Sequence, residues 1–95
     1  MDEQSIIIIG ATSGIGRALF EKYAADGNRM GIIGRRTHLL DELRQEHPDT
    51  TVTATADITK QEEIARAIEA LRTELKDINL AIINKNLPFS IYKRM

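Results

Sequence analysis

The chain has 95 residues, enough for one small domain that buries roughly two thirds of its unfolded surface, a real core without much margin. Its net charge is −1, with 14 acidic and 13 basic residues mixed along the chain, and aromatics make up only 4%; a nucleic-acid-binding stripe, a base-stacking surface and a polybasic membrane patch are all disfavoured. It has no cysteine, which excludes disulfides and thiolate metal sites, and no apolar run approaches the ~18 residues of a membrane span. The start, Met1-Asp2-Glu3-Gln4, is acidic where a signal peptide is basic, so a cytoplasmic location is the expectation.

Ser5–Ile9 predicts the first strand. Its four consecutive isoleucines read as a strand buried on both faces, as in a parallel sheet. Gly10-Ala11-Thr12-Ser13-Gly14-Ile15-Gly16 then runs straight into a helical pattern. The glycines are spaced G-x-x-x-G-x-G, not the commoner dinucleotide G-x-G-x-x-G. In the helix, Ile15, Leu19 and Tyr23 share one face, with Ala18 and Phe20 beside them, and Gly27 suits the left-handed position after the helix. Arg29–Gly34 is the second strand. Thr37 can cap a second helix with Leu39, Leu40 and Leu43 facing the core, and His47-Pro48-Asp49 closes it. Thr51–Ala56, rich in threonine and valine, is the third strand. Thr59-Lys60-Gln61-Glu62 reads as a capping box before a third helix carrying Ile64, Ile68, Leu71 and Leu75. Leu80–Ile83 is the fourth strand. Strand and helix alternating through short links imply a parallel α/β sheet with right-handed crossovers.

The glycine turn is the first candidate site. A strand passing through glycines into a helix lets the backbone approach a ligand and points free N–H groups at an anion, a layout that holds phosphate; the plainer reading is a tight strand-to-helix turn. Thr12 and Ser13 either give hydroxyl contacts to phosphate or fill the turn. Gly34-Arg35-Arg36 ends the second strand twenty residues after Gly14, where arginine in place of an acidic residue favours a ribose 2′-phosphate, hence NADP over NAD. The alternative is that the two arginines begin a solvated helix. Asp57, at the end of the third strand, either accepts a hydrogen bond from an adenine amino group or serves as a helix-entry aspartate. Asn84, at the end of the fourth, either ties strand ends together, lines the cleft or is an ordinary loop residue. His38 and His47 are off any metal-ligand spacing and read as solvated, so no metal site is expected.

Taken together, these residues resemble the first half of a short-chain dehydrogenase/reductase. The match runs over about residues 5–84 through Gly10-Ala11-Thr12-Ser13-Gly14-Ile15-Gly16, Gly34-Arg35-Arg36 and Asp57-Ile58-Thr59. The resemblance implies an NADP-binding partial Rossmann fold, a parallel sheet of four strands in the order 3-2-1-4 with three helices. It implies that Gly10, Gly14 and Gly16, with Ser13 and Ile15, bind the phosphates, that Arg35 and Arg36 bind the 2′-phosphate and adenine, and that Asp57 with Ile58 meets the adenine ring. The sequence departs from the family at Ile9, where threonine is usual, and after the fourth strand. There the family has Asn-Asn-Ala-Gly; here stands Ile83-Asn84-Lys85-Asn86, of which only Asn84 fits.

The family's catalytic Tyr-x-x-x-Lys and upstream serine have no counterpart. Four residues after Tyr23 is Gly27, and Tyr92 has no residue four places on. The expectation is therefore a half-domain over 1–84 with a divergent tail over 85–95: the cofactor-binding part of a truncated NADP-dependent reductase, inactive alone and binding NADP weakly. The alternatives are a non-catalytic nucleotide-binding or interaction module, and a frameshift product without selected function. A fourth strand left as a bare edge, with one sheet face largely uncovered, predicts a homodimer through the fourth-strand edge with the Leu87–Met95 tail crossing the join; the alternative is that this tail folds back over its own sheet.

Overall fold

The computed structural model describes residues 3–11, 14–75, 77–83 and 90–93. The elements run β1 (Ser5–Ile9), α1 (Gly14–Ala25), β2 (Arg29–Gly34), α2 (Thr37–Glu46), β3 (Thr51–Thr55), α3 (Gln61–Leu75), β4 (Leu80–Ile83) and β5 (Ser90–Lys93). Four strands are parallel, in the expected order 3-2-1-4. The sheet carries a fifth strand that the sequence reading did not foresee: β5 pairs antiparallel with β4, Leu80 opposite Lys93 and Ile83 opposite Ser90.

β1 is the centre of the molecule. Ile6 and Ile8 pack with Phe20, Ala24, Leu40 and Leu43 on the face covered by α1 and α2. Ile7 and Ile9 pack with Ala67, Leu71 and Leu75 of α3 on the other. None of the four isoleucines is more than 1% exposed, and burying each contributes about 1.5–3 kcal/mol. That two-sided burial is why an unbroken apolar run, rather than an alternating one, forms this strand. Ser5, also buried, has its polar groups met: its N–H donates to Asn79 Oδ1 at 2.9 Å and its hydroxyl to the Leu75 carbonyl at 3.3 Å. These bonds fasten the start of the strand to the end of α3 and to the link that leads from it into β4.

The helices differ from expectation in detail. α1 turns Gly16, Phe20 and Ala24 inward. Leu19 and Tyr23 are only partly buried, and Ile15 is 61% exposed. The buried row is therefore the i, i+4 set one residue further on, with Phe20 between the small residues Gly16 and Ala24. α1 ends as expected: Gly27 has φ 90°, its N–H donates to Ala24 O, and the Asn28 N–H donates to Tyr23 O, the two bonds of a Schellman motif. Thr37 does not cap α2. The cap position is Arg36, with no side-chain cap bond, and the Thr37 hydroxyl instead lies 3.0 Å from that of Thr55. The capping box is displaced too. α3 starts at Gln61, and the Thr59 hydroxyl donates to Asp57 Oδ1 at 2.7 Å. His47 is half-buried rather than solvated, and meets the Phe20 ring edge-on at 5.9 Å.

The β4 edge expected to drive dimerisation is not bare among the described residues. β5 occupies the free side of β4. Among the described residues up to Ile82 the one large apolar side chain left exposed is Ile15, while Ala81 and Ile82 of β4 are 1% exposed. The homodimer through the fourth-strand edge thus loses its template, because the chain's own tail supplies the missing strand.

Candidate functional site

In a parallel sheet all the strand ends point one way, so the loops after β1, β2 and β3 meet at one edge. The backbone ties them in sequence: Gly10 N–H donates to Ile33 O at 2.7 Å, and Ala56 N–H donates to Gly34 O at 2.8 Å. Neighbouring strands lie about 4.8 Å apart, so two spacings place the turn after β3 roughly 10 Å from the glycine turn after β1. This edge is where open α/β sheets take ligands.

The glycine turn leads from β1 into α1 through two glycines at positive φ. Gly10 has φ 88° and Gly14 has φ 59°, backbone conformations that side chains disfavour. Among the described residues, a Cβ added to Gly14 would meet nothing within 4 Å at the first residue of α1. Gly16 is buried against the sheet, while Ile15 stands out from the same helical turn. The N–H groups of the first turn of a helix have no partner within the helix, and they carry its positive dipole end. Thr12 and Ser13 lie outside the described residues, as does Asn84.

Arg35 and Arg36 are exposed directly after β2, and neither belongs to an ion pair among the described residues. They stand immediately before α2, whose uncapped start adds unpaired N–H groups to the two guanidinium groups. The hydroxyl contact between Thr37 and Thr55 joins this loop to the end of β3.

Asp57 follows β3 in a tight turn. Its Oδ1 accepts the Thr59 N–H at 3.0 Å and the Thr59 hydroxyl at 2.7 Å. Its own N–H donates to Glu63 Oε1 at 2.8 Å, from the first turn of α3. The Thr59 hydroxyl, then the Thr59 N–H, hold the Asp57 carboxyl below its ordinary pKa; burial opposes them, and Arg35 and Lys60 add weaker attraction. Ile58 is half-buried beside it and packs at the margin of the α3-side core.

Sequence reasoning thus located the three loops but missed two of their ties, Thr37 to Thr55 and Glu63 to Asp57. The second was within reach. Starting α3 at Gln61 places Glu63 at its third position, where a glutamate reaches back to a preceding N–H. Among the described residues, no group of three histidine, cysteine or acidic side chains could hold a metal ion, and no helix is long and apolar enough to cross a membrane.

Known proteins share this arrangement. The chain is 32% identical over 89 residues to an uncharacterized oxidoreductase of Mycobacterium tuberculosis, a match spanning 88% of the chain and 35% of that protein. It is 24% identical over 86 residues to an NADP-dependent 3-hydroxy acid dehydrogenase of Salmonella typhi, over 90% of the chain and 35% of the relative. A crystal structure of 3-ketoacyl-(acyl-carrier-protein) reductase from Brucella melitensis complexed with NADH superposes with a TM-score of 0.75 at 25% identity, over 80% of the chain and 31% of that one. The chain therefore spans about a third of the length of these relatives. The family model described as short chain dehydrogenase matches residues 4–89, which takes in all three loops at the sheet edge. The chain belongs to the short-chain dehydrogenase family.

Proposed function

We propose that this chain is the adenosine-binding part of an NADP-dependent short-chain dehydrogenase/reductase. Residues 1–84 form the cofactor-binding half-domain and 85–95 a divergent tail. In the complete reaction NADP(H) exchanges hydride with an alcohol or carbonyl substrate. The residues present bind and orient that cofactor. Gly10, Gly14 and Gly16, with Thr12, Ser13 and Ile15, take the phosphates; Arg35 and Arg36 take the 2′-phosphate and adenine; Asp57 with Ile58 meets the adenine ring, and Asn84 lines the cleft. These 95 residues hold no Tyr-x-x-x-Lys pair, so nothing in them supplies the proton transfer, which typically contributes about 10²–10⁴-fold in rate. What these residues contribute to that reaction is cofactor binding.

The observation that carries this reading is the pair of exposed arginines at the end of β2, outside any ion pair among the described residues, one strand away from a glycine turn where, among those same residues, a Cβ at Gly14 would meet nothing within 4 Å. No carboxylate stands at the end of β2 to favour an unphosphorylated ribose. A charge-assisted contact contributes about 1.5–3 kcal/mol, a preference on the order of 10- to 100-fold. Calorimetry with 2′-phospho-ADP-ribose and ADP-ribose tests it. The phosphorylated form is expected to bind more tightly, about as well as NADP itself, and the preference to vanish in the Arg35→Ala/Arg36→Ala double variant. Equal affinities for the two forms in the unaltered chain would remove the role of the arginines.

A further inference from the structure

The turn after β3 is held by more than its own residues. Asp57 Oδ1 is fully engaged, accepting both the N–H and the hydroxyl of Thr59. Oδ2 has no partner among the described residues. The Asp57 N–H is held from the other side by Glu63 Oε1, across six residues of chain. Glu63 is half-buried, and the helix start fixes its position: Glu63 N–H and Ile64 N–H both donate to Lys60 O, at 3.1 Å each. A carboxylate rotating freely would present both oxygens to any donor. Pinned through Thr59 and Glu63, this one presents a single acceptor oxygen in one orientation.

We propose that Glu63 is a positioning residue for base selection, holding the Asp57 turn so that Oδ2 accepts a hydrogen bond from an exocyclic amino group and turns away a base that offers a carbonyl at that place. The proposal rests on the cofactor-binding reading above. It extends that reading to a residue on α3 that need not touch the ligand. Two acceptors facing one another repel, so a purine with a carbonyl in place of the amino group loses the bond and meets an unpaired oxygen.

The test compares adenosine 2′,5′-bisphosphate with inosine 2′,5′-bisphosphate by calorimetry on the 95-residue chain and on Glu63→Ala and Glu63→Gln variants. The adenosine form is expected to bind about tenfold more tightly to the unaltered chain. Glu63→Ala brings the ratio close to one while leaving the preference for a 2′-phosphate intact, which a general loss of folding would not do. Glu63→Gln, whose amide oxygen still accepts the Asp57 N–H, restores the ratio. Amide hydrogen exchange of Asp57 in the free protein gives a second readout, faster in the alanine variant and unchanged in the glutamine one. A ratio in Glu63→Ala equal to that of the unaltered chain overturns the role of Glu63 alone. An unaltered chain that prefers the 2′-phosphate but does not separate the two bases also overturns it, leaving the arginine reading standing. Failure to bind either nucleotide removes both.

Discussion

The residues that define the candidate site act through their surroundings more than their own chemistry, and Asp57 is the clearest case. Its folded pKa lies below the ordinary value of 3.8, chiefly because the Thr59 hydroxyl stabilises the charged form. A carboxyl depressed in this way adds stability at pH values above its unfolded pKa, and that contribution is lost as pH falls through the folded value. The window is therefore acidic, below about pH 4, and the turn is intact at neutral pH. Replacing the hydroxyl, in Thr59→Val, is expected to move the Asp57 pKa up toward 3.8. It should stay below that value, since the residue-59 N–H, Arg35 and Lys60 remain. Carboxyl carbon shifts followed by NMR through an acid titration measure this directly. An unchanged midpoint would mean that the hydroxyl contact does not hold in solution.

At the scale of elements, the fit of α3 to the sheet depends on one missing side chain. Gly31 lies in β2, and a Cβ built there would come within 2.9 Å of Leu75 Cδ1, 3.0 Å of Leu71 Cδ1 and 3.3 Å of Ile7 Cγ1. The space a side chain would fill is taken by the two leucines that anchor the last turns of the helix. Gly31→Val is expected to destabilise the fold by about 1–3 kcal/mol, the usual range for overpacking, seen as a lower urea midpoint with unchanged slope. Gly31→Ala should cost less, since leucine tips can shift and alanine narrows the unfolded ensemble. A valine variant as stable as the parent would show that α3 rides more loosely than the contacts imply. The extent of these elements was legible in the sequence: β1, β2 and β4 fall where the isoleucine run, Arg29–Gly34 and Leu80–Ile83 put them. Their rotations and caps were less so. Ile15-Leu19-Tyr23 and Gly16-Phe20-Ala24 are both helical rows, and periodicity alone does not show that the second, with Gly16 and Ala24 on either side of Phe20, is the one turned inward. Thr37 and Thr59 both suit a cap by type, but their hydroxyls found Thr55 and Asp57, partners that periodicity does not reveal. At the site, the strand ends were set by alternation, while the Glu63 tie depended on a helix start misplaced by one residue.

For the whole molecule the decisive feature is the strand that closes the sheet. Counting four strands left Leu80–Ile83 with one unpaired side, and an apolar unpaired edge is a template for another copy. In the structure that side is taken by Ser90–Lys93, running antiparallel, which a short return of the chain allows and a parallel neighbour would not. The strand was not legible because Ser90-Ile91-Tyr92-Lys93 is only four residues long and lies beside a segment that departs from the family pattern. The edge it leaves is equally short and ends in a lysine, the kind of edge that resists further pairing. The intact chain is therefore expected to run as a monomer by light scattering at micromolar concentration. Deleting residues 90–95 bares β4, whose Ala81 and Ile82 are otherwise buried, and is expected to produce association that grows with concentration. An intact chain with a dimer mass would restore the fourth-strand pairing. A deletion variant that stays monomeric would show that β5 is not what protects this edge.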